Sequence, residues 1–222
     1  MISLSAGLDK IKKNPEYDFQ WSTFECDEEY IERLWDEPIP QNVSVIHFPP
    51  KTSKSHWKRL IDWAVLNNDR PIVIHPNISP LQELSQYEGK GHRHICIENF
   101  PWSSKKPLRN PLSIADYAIR NQFGVCFDYA HVDPWDEPAF RTPEFLRAYL
   151  PWVSVIHFSG NRHNPLTEED WKTWETVILN HPGCLAQVRW FCLEHKDESG
   201  KVKDANRLVS VLQRLGEQKS PS

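Results

Sequence analysis

Short, almost continuously apolar runs that end in a polar residue recur along this chain of 222 residues, and helical patterns lie between them. Runs such as SVIH, IVIH, CIEN and VCFD show little alternation between apolar and polar residues. They are typical of parallel strands that are covered on both faces. The strict alternation of strands and helices favours a (β/α)8 TIM barrel, a single compact α/β domain, over an open doubly wound sheet.

The pattern predicts eight strands and seven helices in one domain at residues 1–216, followed by a short flexible tail at residues 217–222. The strands are expected at Ile2–Ser5, Phe19–Phe24, Val43–Phe48, Pro71–His75, His94–Asn99, Gly124–Asp128, Val153–Phe158 and Val188–Glu194. The helices are expected at Asp27–Trp35, His56–Asn67, Pro80–Glu88, Pro111–Asn121, Thr142–Tyr149, Thr167–Leu179 and Asp204–Leu215.

Charge and cysteine content exclude several classes of function. The net charge of −4 and the pI of about 6.2 give no electrostatic signature of nucleic-acid binding. No apolar run approaches the ~18 residues that span a bilayer, and the start of the chain does not have the pattern of a secretory signal. Five cysteines without paired spacing are typical of reduced thiols. We therefore expect a cytoplasmic protein without a membrane partner.

Six of the predicted strands end in residue types that bind divalent metal ions. These residues are His47, His75, Glu98, Asp128, His157 and Glu194. The carboxyl ends of all strands of a TIM barrel meet at one face, where active sites lie. Carboxylates buried there are costly unless a cation neutralises them. The pattern therefore predicts a divalent metal site, holding Mn, Mg, Co or Zn, at the mouth of the barrel.

The residues two positions before these polar ends should also point into the barrel, because side chains alternate along a strand. They are Val45, Val73, Cys96, Cys126, Val155 and Cys192. All six are small and apolar, so we expect them to form a packed layer beneath the polar site. This interpretation gives the three cysteines a packing role in preference to metal binding.

The hexapeptide VSVIHF occurs twice, at Val43–Phe48 and at Val153–Phe158. These segments are the predicted third and seventh strands, which lie opposite each other in an eight-stranded barrel. His157 lies between the strands of Asp128 and Glu194 and should complete a carboxylate-rich site. His47 has His75 beside it, with Glu98 within reach as a bridge, and should bind a second metal or contact substrate.

The segments ICIENF, VCFDYAHV, VIHFSGNRHNPL and FCLEHK resemble, in their order and spacing, the xylose-isomerase-like TIM barrel superfamily of sugar isomerases, sugar epimerases and endonuclease IV. The resemblance covers roughly three quarters of the chain. It implies that the shared metal-binding quartet is Glu98, Asp128, His157 and Glu194. It also implies that His131 contacts substrate or a third metal.

The resemblance to the endonuclease branch is incomplete. His47 and His75 lie where that branch places two ligands of another metal, and His163 resembles its distal histidine. Asn161, however, stands where the branch has Asp. Arg162 and His163 are expected to contact substrate. The predicted loops at the mouth contain Lys and Arg residues, which could hold a phosphate, and aromatic residues, which could stack on a sugar or base. The aromatic residues include Trp135 and Phe158. A solvated loop surface would have the same composition.

The resemblance leaves three functions open. The first is a divalent-metal-dependent isomerase or epimerase of a sugar, sugar phosphate or related polyol or keto acid, which moves a proton through a metal-stabilised enediolate with Glu98 and Glu194 as acid and base. The second is a zinc phosphoesterase like endonuclease IV, with nucleic acid disfavoured as its substrate. The third is a multinuclear iron oxidase. His195, next to Glu194, is expected to point out of the barrel and away from the site.

Overall fold

A computed structural model describes residues 1–6, 18–22, 41–47, 70–75, 95–100, 110–135 and 137–218. The helices predicted at Asp27–Trp35, His56–Asn67 and Pro80–Glu88 lie outside these residues. So do the basic residues of the loops that follow the third and fifth strands.

Eight parallel strands close into a barrel, each paired with the strands that precede and follow it in the chain. The strands are β1 (Ile2–Ala6), β2 (Phe19–Ser22), β3 (Val43–His47), β4 (Ile72–Ile74), β5 (Ile95–Glu98), β6 (Gly124–Asp128), β7 (Val153–His157) and β8 (Trp190–Leu193). The predicted TIM barrel is confirmed, and the two VSVIH segments that end at His47 and His157 form opposite strands, β3 and β7.

The described helices are α1 (Pro111–Arg120), α2 (Pro143–Tyr149), α3 (Glu168–Asn180) and α4 (Glu198–Gln218). Helix α4 begins before the predicted residue Asp204, because Asp197 accepts hydrogen bonds from the backbone N–H groups of Ser199 and Gly200 and caps the first turn. It ends at Gln218, and the predicted division between domain and tail at residue 216 stays a prediction. No helix in the described part of the chain is long and apolar enough to cross a membrane.

The barrel interior and the space around it form two separate apolar clusters. Inside the barrel, the layer predicted from the alternation is present, with Trp190 as an additional member. Its members are Val45, Val73, Cys96, Cys126, Val155, Trp190 and Cys192. Outside the barrel, the helices pack on the opposite faces of the strands, and Trp171 and Trp174 of α3 are fully buried there. The strand alternation therefore separates a thin inner layer from the main core.

Strands β5 and β6 approach each other closely at Gly124, which lies beside Cys96. A Cβ atom at Gly124 would lie 2.7 Å from Cys96 Sγ and 3.3 Å from Ser154 Oγ. We predict that Gly124→Ala lowers the free energy of unfolding by about 1–3 kcal/mol, because the added methyl group overpacks the inner layer. Equilibrium urea unfolding measures this change.

Gly183→Ala is the matched control, because no atom lies within 4 Å of the added Cβ. Its free energy of unfolding should stay within about 0.5 kcal/mol of the unchanged protein. Equal stability of the Gly124 and Gly183 variants would contradict the close packing of β5 on β6.

Candidate metal centre

The predicted strand-end residues converge at the carboxyl end of the barrel, and all six are buried. His47, Glu98, Asp128 and His157 are the last residues of their strands. The remaining two, His75 and Glu194, follow the ends of β4 and β8 directly. The two histidines of the repeated hexapeptide meet across the mouth, with ring centroids 4.9 Å apart.

Glu98 divides its two carboxylate oxygens between two groups of side chains. Its Oε2 lies 3.0 Å from His47 Nε2 and 2.9 Å from His75 Nε2. Its Oε1 lies 3.2 Å from His131 Nδ1 and 3.5 Å from His157 Nδ1. Glu98 therefore contacts both groups of side chains through different oxygens.

The first group, His47, His75 and Glu98, forms a compact triangle of donor atoms. The Nε2 atoms of the two histidines are 3.1 Å apart, so all three edges of the triangle are close to 3 Å. Tetrahedral zinc, with bonds of about 2.0–2.1 Å, would separate its ligand atoms by about 3.3–3.4 Å. The observed edges are slightly shorter than this separation and lie within hydrogen-bond range, so the triangle would have to open by a few tenths of an ångström to hold zinc. The histidine nitrogens contact both oxygens of Glu98, but none of them is aligned for a good hydrogen bond.

The second group surrounds His157 Nδ1 with three carboxylates. This nitrogen lies 3.5 Å from Glu98 Oε1, 3.6 Å from Asp128 Oδ2 and 3.4 Å from Glu194 Oε2. His157 Nδ1 and Asp128 Oδ2 are buried and have no hydrogen-bond partner. Buried polar atoms almost always have hydrogen-bond partners in native proteins. A group of buried polar atoms that lack such partners and face one another is therefore typical of an ion-binding site.

Asp128 and Asn99 brace the ends of β5 and β6. The backbone N–H of Asp128 donates to Asn99 Oδ1 at 2.7 Å, and the Asn99 amide donates to the Asp128 carbonyl at 2.9 Å. Asp128 Oδ1 accepts from the N–H groups of Ala130 and His131 and caps the following turn. These bonds hold one carboxylate oxygen in place and leave Oδ2 directed at the site.

Gln20 of β2 belongs to the same network, and the sequence analysis missed it. Its amide Nε2 donates to Glu194 Oε1, and its Oε1 lies 3.0 Å from His157 Nε2. Gln20 pairs in register with Val45, one layer below the strand ends, and its length lets it reach the site. A comparison of strand ends alone therefore overlooks Gln20. A polar residue at an inward position of a predicted strand could have indicated it, because buried polar residues are uncommon in barrel interiors.

The rings and carboxylates of the centre shift one another's pKa values. Burial raises the pKa of Glu98, but the charges of His75 and His157 lower it, and the result is well below the usual value. Burial also raises the pKa of Glu194, but the charge of His157 lowers this pKa to about 2. Burial lowers the pKa of His157, whereas Cys126, Glu194 and Glu98 raise it well above its usual value. Both glutamates are therefore ionised at neutral pH.

His131 and His163 lie at the rim of the carboxylate-rich group. Burial lowers the pKa of His131, but Asp128 and Glu98 raise it to about 9. His163 packs edge-on against His131, with ring centroids 5.4 Å apart, and could join Asp128 and His131 in holding an ion. Arg162 lies next to His163 in the chain, and no contact described for the cluster involves it.

The turn that presents His163 has an unusual backbone. Arg162 and His163 adopt left-handed conformations, with φ values of 56° and 59°. Such residues cost on the order of 1–3 kcal/mol each and cluster at functional sites. The His163 N–H donates to the Gly160 carbonyl at 3.0 Å, and Lys196 N–H donates to the His163 carbonyl at 2.9 Å. These bonds hold the strained turn against the loop that follows β8.

Two aromatic residues expected at the mouth differ in their positions. The prediction that Phe158 lies at the mouth is wrong. Phe158 follows His157 and points outward, where it packs on Trp171 and Trp174. Trp135 is 85% exposed in the loop after β6.

His195 points out of the barrel as predicted, and it is buried there with its Nε2 3.2 Å from the Phe158 carbonyl.

Comparison with known proteins gives matches among solved structures. No family model matches the chain, and no curated protein matches it. A D-tagatose 3-epimerase-like protein has 19% identity and a TM-score of 0.65, with 99% of each chain covered. Endonuclease IV from Thermus thermophilus has 13% identity and a TM-score of 0.56, with 96% of this chain and 98% of that chain covered.

A third similar structure is 3-keto-D-glucoside 4-epimerase from E. coli, with 11% identity and a TM-score of 0.60. The match covers 96% of this chain and 98% of that chain. At these identities the similarity establishes the fold. This chain therefore shares the (β/α)8 barrel fold of these three structures.

Proposed function

We propose that this chain is a divalent-metal-dependent isomerase or epimerase of a sugar, a sugar phosphate or a related polyol or keto acid. The observation that carries the proposal is the placement of Glu98 Oε1 and Glu194 Oε2 at 3.5 Å and 3.4 Å from His157 Nδ1, where two ionised carboxylates flank one position. Two of the three similar structures are named for epimerases of sugars or their derivatives, which supports a substrate of that class.

In this proposal Glu98, Asp128, His157 and Glu194 hold one Mn, Mg, Co or Zn ion. When bound, the ion supplies a Lewis acid that draws electron density from a substrate carbonyl and favours the enediolate. The buried, unsatisfied oxygens of Glu98 and Asp128 support this assignment, because they provide negative charge that hydrogen bonds in the protein do not neutralise.

The two glutamates would move the proton. Glu98 and Glu194 extend from β5 and from the end of β8, so they approach the mouth from different sides. One takes the proton from the carbon beside the substrate carbonyl, and the other returns a proton to the carbon skeleton. His131 and His163 at the rim, together with Arg162, would bind substrate oxygens and orient that carbon between the two carboxylates.

We predict that Glu98→Gln and Glu194→Gln each abolish turnover, with a loss of at least about 10²-fold, because an amide cannot accept the proton. Protein incubated with a panel of ketohexoses and ketohexose phosphates in D₂O reports turnover as deuterium incorporation. Glu168→Gln is the control, because Glu168 is an exposed carboxylate of α3 that contacts Arg207. Retained exchange in either active-site variant would contradict the assignment of the glutamates.

A zinc phosphoesterase is the second candidate, and the triangle of His47, His75 and Glu98 Oε2 favours it. An epimerase with one metal ion does not require these two histidines, whereas a two-metal site can hold both the attacking and the leaving oxygen of a phosphate ester. Asn161, the acidic net charge and the absence of a basic signature in the composition stand against an endonuclease.

Elemental analysis of protein purified without chelator separates the two candidates. For the isomerase we predict about one Mn, Mg or Co ion per chain, because the quartet alone suffices for carbonyl polarisation. Two or three zinc ions per chain, with hydrolysis of phosphate diesters, would overturn the isomerase in favour of the phosphoesterase.

Replacement of the two repeated histidines distinguishes the two groups of donor atoms. We predict that His157→Ala loses the principal metal and all activity, because His157 Nδ1 is the nitrogen that the three carboxylates surround. His47→Ala should keep that metal and show a milder, substrate-dependent defect. Metal content and kcat/KM measured together test this difference. Equal loss of one single ion in both variants would rule out two separate sites.

A further inference from the structure

We propose that Gln20 fixes the imidazole tautomer of His157 and orients the carboxylate of Glu194. Glu194 in turn fixes the tautomer of His47, so that the two identical strands present opposite ring nitrogens to the metal centre. The inference rests on the metal centre of the proposed function. It assigns a positioning role to a residue of β2 that lies outside the predicted ligand set.

The hydrogen-bonding capacity of the side chains determines the direction of each bond. An ionised carboxylate only accepts hydrogen bonds, so the Gln20 group that faces Glu194 Oε1 must be the amide NH₂. The other end of the amide, its carbonyl oxygen, then faces His157 Nε2 at 3.0 Å. An amide oxygen only accepts, so His157 Nε2 must carry the proton and donate it. The charge of Glu194 thus fixes the orientation of the amide.

A proton on Nε2 leaves His157 Nδ1 as the nitrogen that can bind a metal in the neutral ring. This nitrogen is fully buried, has no hydrogen-bond partner and lies within 3.6 Å of oxygens of Glu98, Asp128 and Glu194. Gln20 therefore selects the tautomer that directs the lone pair of His157 into the carboxylate-rich group.

The same chain of bonds continues to the other repeated histidine with the opposite result. Glu194 Oε1, which accepts from Gln20, also lies 3.1 Å from His47 Nδ1. His47 Nδ1 donates to this carboxylate, which leaves Nε2 facing His75 Nε2 and Glu98 Oε2. His157 thus presents Nδ1 and His47 presents Nε2, although both end the sequence VSVIH. Identical local sequence does not explain this difference, which follows the bonds that Gln20 and Glu194 make to the two rings.

Nuclear magnetic resonance of the unchanged protein tests the tautomers directly. Protein labelled with ¹⁵N in its histidines is loaded with ¹¹³Cd²⁺, and His47→Gln and His157→Gln assign the signals. We expect coupling of cadmium to Nδ1 of His157 with a proton on its Nε2, and to Nε2 of any cadmium-bound His47. Coupling of cadmium to Nε2 of His157 would overturn the proposal; the coupling is measured on the unchanged protein, and the variants serve only to assign its signals.

Gln20→Leu tests the dependence on the amide, because leucine has a similar size and no hydrogen-bonding group. We expect its Zn²⁺ affinity, measured by competition with a chelator, to fall roughly 10- to 100-fold and its His157 Nε2–H signal to be lost. Gln20→Met serves the same purpose if the leucine variant does not fold. The matched control is Ser3→Ala, which removes a buried hydrogen bond to Cys192 Sγ in the inner layer beneath the site and removes no contact to Glu194 or His157 that is described.

The outcomes separate this inference from the proposed function. Unchanged zinc affinity in the Gln20 variants, equal to that of Ser3→Ala, would overturn the role of Gln20 and leave the metal centre intact. Failure of the unchanged protein to bind Zn²⁺ or Cd²⁺ would overturn both proposals.

Discussion

Three ionisable carboxylates are buried together at the mouth of the barrel, and the cost of removing them from water is the constraint on which the rest of the site depends. Glu98, Asp128 and Glu194 are almost fully removed from solvent. Desolvation of an ionised carboxylate costs several kcal/mol unless opposite charge and hydrogen bonds compensate it. Buried histidines supply part of this compensation, and they hold the pKa of Glu98 well below its usual value. The rings that contact Glu98 nevertheless donate no well-aligned hydrogen bond to either of its oxygens. A divalent cation satisfies them directly.

The surrounding structure keeps these groups together by cross-linking the ends of neighbouring strands. Asn99 joins β5 to β6 through two hydrogen bonds with the backbone of Asp128. His195 joins β8 to β7 through the Phe158 carbonyl, and Asp204 of α4 lies 3.5 Å from the same imidazole nitrogen. Gln20 adds a connection from β2 across the barrel. These residues fix the strands that carry the candidate ligands, as preorganised metal sites require.

The main features of the fold and site could be predicted because strands have a strict period of two. That period placed Val45 and Cys126 in the inner layer and His157 at the mouth, and the structure confirms these positions. The same rule places Phe158, one residue beyond His157, on the outer face. The prediction of Phe158 at the mouth is therefore inconsistent with the period that correctly places His157. Residues 48–69 and 76–94 lie outside the described structure, and the predictions there stay predictions.

Other features depend on contacts that no local pattern encodes. The division of the Glu98 oxygens between two groups depends on His47 and His157 meeting across the barrel. The role of Gln20 depends on its reach from a lower layer, which a comparison of strand ends does not consider. Sequence patterns therefore predict which side chains reach the mouth, whereas long-range packing decides which atoms of those side chains meet.

Anomalous X-ray diffraction from crystals grown without chelator tests the central claim most directly, because it locates bound metal independently of activity. Data collected on both sides of the Mn absorption edge, from crystals soaked in Mn²⁺ so that a bound Mg²⁺ is exchanged for a detectable ion, should show the strongest peak within bonding distance of His157 Nδ1, Glu98 Oε1, Asp128 Oδ2 and Glu194 Oε2. A strongest peak at any other place in the molecule, or no peak at the mouth, would contradict the claim that the buried carboxylates form a metal centre.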